Sequence, residues 1–170
     1  MGNLSNERNF TAGNSEFSYT IQVSKNASQL IDQADRLGLL DVKLWTTPEI
    51  MQEYIQSGKR IAFTAFESDK EASIEIPAGI IVGGTEEEGR LWIELLVVDI
   101  RKRRRGIASA LVNKLVEYGQ ENQLRAIFVD IDDDNEVAAE FYKAVNFKDA
   151  GIISEYYWDS SDAIILFRRL

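Results

Sequence analysis

From Leu96 the chain runs through Val97, Val98, Asp99 and Ile100 into five consecutive cations, Arg101-Lys102-Arg103-Arg104-Arg105. Gly106, Ile107, Ala108 and Ser109 follow at the head of an amphipathic stretch. An apolar strand that meets a small-residue turn and then a helix can be built in few ways. The first backbone N–H groups of a helix have no partner within it, and its dipole places partial positive charge there. Gly106, Ala108 and Ser109 are small enough for a phosphate to come close to that backbone. With cations beside those amides, the junction suits a pyrophosphate. The expectation is an anion site where strand gives way to helix.

Composition narrows the chemistry. At 170 residues, 45% apolar and 28% charged, the chain is sized and composed as one globular domain with a real core. It contains no cysteine and no histidine. Disulfides, zinc–thiolate sites and the usual nucleophile–histidine arrangements are therefore excluded, and no metal site is expected. Proton transfer has to come from carboxylates, tyrosine, lysine or bound water. No apolar run approaches the roughly 20 residues of a membrane helix, and the polar start Met1–Arg8 has no signal-peptide core. A cytoplasmic protein without a membrane partner is the expectation.

The net charge is −9, so everything outside the cationic run 101–105 carries −14. One basic spot on an acidic body argues against nucleic-acid binding, which favours broad basic faces. It fits a polyanionic cofactor bound at one place and a cationic substrate bound elsewhere; the acidity serves solubility equally well.

Residues 1–15 are rich in Asn, Ser and Gly and read as a flexible tail, leaving 16–170 as one domain. Alternation over 17–23 predicts a strand. Leu30, Ile31, Ala34, Leu37 and Leu40 predict a helix capped by Asn26 or Ser28. Thr46 or Thr47 before Pro48 starts a second helix, which Gly58 closes. Strands are expected over 60–66, roughly 74–82 and 90–98. The first two are joined by a polar turn at 68–71, and the second is irregular at Pro77 and ended by Gly83-Gly84. A helix over 107–120, a buried strand at 126–131, a helix capped by Asn135, and strands near 147–153 and 163–167 complete the order β-α-α-β-β-β-α-β-α-β-β.

That order, with Arg103-x-x-Gly106-x-Ala108 after the long strand, resembles the GNAT superfamily of acetyl-CoA-dependent N-acetyltransferases. The second half agrees, because Asn135-x-x-Ala138-x-x-Phe141-Tyr142 followed by Phe147 is similar to that family's Asn-x-x-Ala-x-x-Phe-Tyr…Gly-Phe segment. Asn146 stands where glycine is usual, an exchange that a left-handed conformation tolerates. The match covers roughly residues 60–170. It implies an α/β fold with a mixed, mostly antiparallel central sheet and helices on both faces. It also implies that the chain is an enzyme transferring acetyl from acetyl-CoA to an amine by direct attack, without a covalent enzyme intermediate or a metal.

The resemblance assigns roles residue by residue. The backbone of Leu96, Val97 and Val98 would pair with the pantetheine arm. Arg103, Arg104, Arg105, Gly106, Ile107, Ala108 and Ser109 would hold the pyrophosphate, largely through amides, with Arg101 and Lys102 either reaching the 3′-phosphate or simply solvated. Asn135 would hydrogen-bond the cofactor, and Tyr142 would protonate or stabilise the departing thiolate. A protonated amine has no lone pair for attack, so a carboxylate must take its proton. Glu94 on the long strand and Asp130 at the end of the next one compete for that role, Glu94 being favoured for its reach. The Leu96 amide would hold the oxyanion.

The ending Tyr156-Tyr157-x-Asp159-x-x-Asp162-Ala163 resembles that of the ribosomal-protein N-terminal acetyltransferases, which points to a peptide or protein N-terminus as acceptor. A cationic small molecule such as a polyamine, an aminoglycoside-like antibiotic or an amino-acid derivative is the alternative, and a non-catalytic acyl-CoA-binding module is a third reading. The family also leaves room for a homodimer. Asp132-Asp133-Asp134 lacks the glycine and later glutamate of a calcium loop and reads as a solvated turn that favours the following helix start.

Overall fold

The computed structural model describes residues 19–37, 48–67 and 75–170. The expected tail, the Thr46/Thr47 cap, Leu40 and the turn at 68–71 lie outside the described residues. The element order is β1 (Tyr19–Val23), α1 (Ala27–Arg36), α2 (Pro48–Gln56), β2 (Arg60–Glu67), β3 (Ile76–Glu86), β4 (Arg90–Val98), α3 (Ile107–Glu121), β5 (Ala126–Asp132), α4 (Glu136–Ala144), β6 (Lys148–Ile153) and β7 (Ala163–Arg169). It reproduces the order read from the sequence.

Local chemistry accounts for the boundaries. Asn26, rather than Ser28, caps α1, its side chain accepting from the Gln29 amide at 3.0 Å. Gln52 of α2 reaches back to accept from the Ala27 amide at 2.8 Å, which docks the second helix against the start of the first. Asn135 caps α4 by accepting from the Ala138 amide at 3.0 Å. Asn146 ends that helix at φ 69°, and the Phe147 amide returns to the Tyr142 carbonyl at 2.9 Å. Phe147 thereby serves the helix exit and the core, and β6 starts one residue later than expected.

The sheet order is β1-β2-β3-β4-β5-β7-β6, antiparallel throughout except for the parallel pair β4–β5. The chain is thus the mixed, mostly antiparallel α/β fold expected. On one face Ile107, Leu111 and Leu115 of α3 pack with Ile81, Leu91, Ile93, Ile127 and Val129. On the other, Leu30 and Ala34 of α1 pack with Ala62, Ile80 and Val82. Each fully buried leucine in these layers contributes about 2 kcal/mol relative to exposure.

Two details of β3 bear on the cleft beside it. The irregularity expected at Pro77 is present, since the β2–β3 register shifts between Ala65 and Phe66, which face Gly79 and Pro77. The expected stop at Gly83-Gly84 is not, because β3 continues through both to Glu86. A Cβ on Gly83 would lie 3.0 Å from Leu115, and one on Gly84 would collide with the Glu94 carboxylate. The glycines are there for close approach by neighbouring side chains, not for a turn.

Candidate active site

The parallel strands β4 and β5 pair only at their first three positions, Arg90 with Ala126, Leu91 with Ile127 and Trp92 with Phe128. Beyond Trp92 they diverge, while β4 stays bonded to β3 up to Val98 and β5 to β7 up to Asp132. The edge of β4 that includes Leu96, Val97 and Val98 is therefore free of β5, and its amides and carbonyls can receive an extended, amide-bearing chain.

At the open end of that cleft stands the cationic turn. Asp99 is almost buried and accepts from the Arg101 amide at 3.0 Å and from the Arg101 guanidinium at 3.1 and 2.9 Å. These hydrogen bonds hold its carboxyl below the usual carboxylate range, against the opposing effect of burial. Lys102 is drawn inward to Glu67 of β2, Nζ to Oε2 2.7 Å, and Arg105 lies 3.9 Å from the same carboxylate. Lys102 is thus neither solvated nor directed outward. Arg103 Nε donates to the Val98 carbonyl at 3.2 Å. Arg104 and Gly106 both adopt left-handed backbone, φ 62° and 80°, and Gly106 caps the 15-residue helix α3. Two left-handed residues on either side of Arg105 curl the chain into a small loop at a helix N-terminus, a form that suits oxyanions. Arg103, Arg104 and Gly106 are exposed there, and Ile107 is the buried pin that fixes the helix start.

The candidate proton-transfer groups sit on opposite sides of the divergence. Ile127, Val129 and Ile131 face the α3 layer, so alternation turns Phe128, Asp130 and Asp132 to the other face. Trp92 stacks on Phe128 there at 5.3 Å, and Phe128 on Phe167 at 6.0 Å. Asp130 accepts from the Tyr157 hydroxyl at 2.9 Å, and Ser161 donates to Asp132 at 3.2 Å, so the β6–β7 loop is fastened to the end of β5. Burial and then this bond to Asp130 push the Tyr157 hydroxyl well above the usual tyrosine range. Tyr156 stands edge-on to Tyr157 at 5.0 Å.

Tyr142 belongs to the α3-side layer. It is 5% exposed, with Phe141 and Phe147 edge-on at 5.1 and 5.2 Å. Burial, helped by the Asp130 charge, pushes its hydroxyl far above the ordinary tyrosine value of 10. It therefore keeps its proton at neutral pH and is present there as a hydroxyl hydrogen-bond donor.

Glu94 sits in a β-bulge, because Val82 faces Leu95 while Gly83 faces Ile93. Its Oε2 lies 2.5 Å from Arg60 Nε of β2. Asn135 uses its carbonyl oxygen for the helix cap, which leaves its NH₂ group as the donor toward a ligand. Of the Asp132–Asp134 turn, Asp134 is pushed up chiefly by Asp132, and no grouping suited to a metal occurs among the described residues. Sequence reasoning missed Arg60, Glu67, Gly84 and Asp99. Only Asp99, an acidic residue shortly before a run of basic ones, carried a signal that could have shown it.

A family model described as the GNAT acetyltransferase family matches residues 28–147. No curated protein matches the chain significantly. Solved structures share the fold. The ribosomal-protein-S18-alanine N-acetyltransferase from Escherichia coli is 16% identical with a TM-score of 0.65, over 88% of this chain and 94% of that one. Ard1 from Thermoplasma volcanium is 22% identical with a TM-score of 0.66, over 88% and 97%. A Bacillus anthracis protein assigned as a streptothricin acetyltransferase, solved with acetyl coenzyme A, is 21% identical with a TM-score of 0.61, over 69% and 66%. The chain thus spans 66% of the length of that Bacillus anthracis protein.

Proposed function

The chain belongs to the GNAT family of acetyltransferases, and from that premise we propose that it moves an acetyl group from acetyl-CoA to a primary amine by direct attack. The observation that carries this reading is the parting of β4 from β5 beyond Trp92, with the left-handed turn Arg104–Gly106 at its mouth. The open β4 edge and the turn fit the two parts of coenzyme A, an amide-bearing arm and a diphosphate. Leu96, Val97 and Val98 take the arm. Arg103, Arg104, Arg105 and the amides of Gly106, Ile107, Ala108 and Ser109 take the phosphates, and the Asn135 NH₂ supplies a further donor.

The bound thioester supplies an electrophilic carbonyl. On the α1-side face a carboxylate, Glu94 or Asp130, takes the proton of the incoming ammonium directly or through water. The freed nitrogen forms its bond to the carbonyl carbon, and the Leu96 amide steadies the oxygen while it carries charge. As the C–S bond breaks, the Tyr142 hydroxyl on the other face gives its proton to the sulfur, and the nitrogen, left with two protons and a positive charge by the attack, releases one of them to water, from which Tyr142 is reprotonated. Base and acid on opposite faces match a reaction in which the nucleophile enters on one side and the thiol leaves on the other.

The acceptor is proposed to be a peptide or protein N-terminus, supported by the Tyr156–Tyr157 loop fastened over Asp130 and by the fold shared with N-terminal acetyltransferases. A cationic small molecule is the second reading, supported by the net charge of −9 and the fold shared with a streptothricin acetyltransferase. A panel containing peptides with free α-amines, spermidine and a streptothricin, assayed for thiol release from acetyl-CoA, separates the two. Arg104→Glu puts a like charge at the phosphates and is expected to weaken CoA binding about tenfold or more. An unchanged dissociation constant by calorimetry would remove the turn from the site.

A further inference from the structure

Glu94 is held by an arrangement more elaborate than a surface ion pair. Its bulged position places it on the same face as Leu95, beside β3 rather than beside β5. The side chain lies across Gly84 on β3 and reaches Arg60 on β2, both side chains being mostly buried. Arg60 is itself fixed, because its guanidinium lies over the Tyr54 ring of α2 at 4.4 Å. Ring, guanidinium, carboxylate and bare glycine backbone form one stack running from α2 to the bulge in β4.

We propose that Arg60 is a positioning residue that acts through Glu94, clamping Oε2 so that Oε1, the oxygen over Gly84, is the one presented to the acceptor amine or its water. The inference rests on the acetyl-transfer reading with Glu94, of the two carboxylates, as its base, and assigns that site a device for aiming it. The planar guanidinium suits this task better than an ammonium would, since it can stack on Tyr54 and donate along Nε in a fixed direction. Gly84 is required for the same reason. Any Cβ there would occupy the space of the carboxylate, and the end of a flexible side chain yields before the strand does. Gly84→Ala therefore displaces the Glu94 carboxylate without removing any charged residue.

The test uses the full chain, acetyl-CoA and whichever amine of the panel turns over. Arg60→Gln and Gly84→Ala are each expected to lower kcat about tenfold or more, with CoA affinity unchanged, because the proton acceptor is present but misdirected. Arg60→Lys is expected to fall between Arg60→Gln and the unmodified chain. Neither Arg60→Gln nor Gly84→Ala should lower kcat further in a Glu94→Gln background, since Arg60 acts only through that carboxylate. Effects that multiply in that background, or a kcat left intact by both changes, would overturn the proposal. Gly84→Ala keeps it testable should Arg60→Gln not fold. A second readout needs no turnover. The Arg60 Nε–Hε proton should be protected from exchange by NMR in the unmodified chain and lose protection in Glu94→Gln and in Gly84→Ala. Absence of protection in the unmodified chain sinks the clamp. Protection without thiol release from any amine sinks the acetyl-transfer reading and, with it, the clamp's proposed role.

Discussion

At the scale of single residues, the site is governed by where each titratable group is buried. Tyr142 is enclosed, with Phe141 and Phe147 edge-on to its ring; burial raises its pKa, and the Asp130 charge adds to the shift. The sign of the consequence is definite. A tyrosine whose folded pKa lies above its ordinary value of 10 keeps its proton up to and beyond that pH, and the stability it confers is lost as pH rises past 10. Tyr142→Phe preserves the ring packing and removes only the donor. Stopped-flow thiol release is expected to show kcat down about 100-fold, with CoA affinity intact. Chemical denaturation above pH 10 should show a smaller alkaline loss of stability in the phenylalanine variant. The Tyr142 position could be read from the Asn135-to-Phe147 spacing. Its enclosure could not, because it depends on how α4 and its exit at Phe147 settle against the sheet.

At the scale of elements, the turn between β4 and α3 is a cationic segment tied down by two carboxylates that come before the basic run in sequence. Asp99 holds Arg101 from within the turn, and Glu67 holds Lys102 and Arg105 from the end of β2. Arg101 and Lys102 therefore serve the loop's own shape, which the run of charges could not reveal by itself. Asp99 has its folded pKa depressed below 3.8, so its contribution is present above that value and is lost as pH falls through the lower folded one. Asp99→Asn is expected to loosen the turn and weaken CoA binding at neutral pH. In stability its gap from the parent should close as pH drops below the carboxylate range, a trend that urea titrations at neutral and strongly acidic pH would show. Equal gaps under both conditions would mean that the carboxylate charge is not what holds the turn.

At the scale of the whole molecule, core packing and the proposed cofactor cleft meet on opposite edges of one strand, β4. Gly79 of β3 faces Val98 of β4, and a Cβ there would stand 2.8 Å from the Val97 carbonyl oxygen and 3.2 Å from both Ile107 and Leu111. A methyl group would press at once on the β3-facing side of the strand whose other edge is assigned to the pantetheine arm and on the residue that pins the start of α3. Gly79→Ala is expected to cost about 1–3 kcal/mol in unfolding free energy and to weaken CoA binding as well. A variant that lost stability but bound CoA normally would show the two to be independent.

The sequence alone determined the order of elements, the helix cap at Asn135, the turn at Gly106 and much of the core, because these depend on periodicity and on contacts within a few residues. It left Glu94 and Asp130 as rivals, and it marked Gly83-Gly84 as the end of a strand. Only the tertiary structure decided that the glycines make room for Leu115 and Glu94, that Arg60 and Tyr157 hold the two carboxylates, and that β4 and β5 part after Trp92. The reason is distance along the chain. Arg60 and Glu94 are 34 residues apart, and Asp130 and Tyr157 are 27 apart. Pairings of that span are set by how the sheet assembles, which no local pattern encodes.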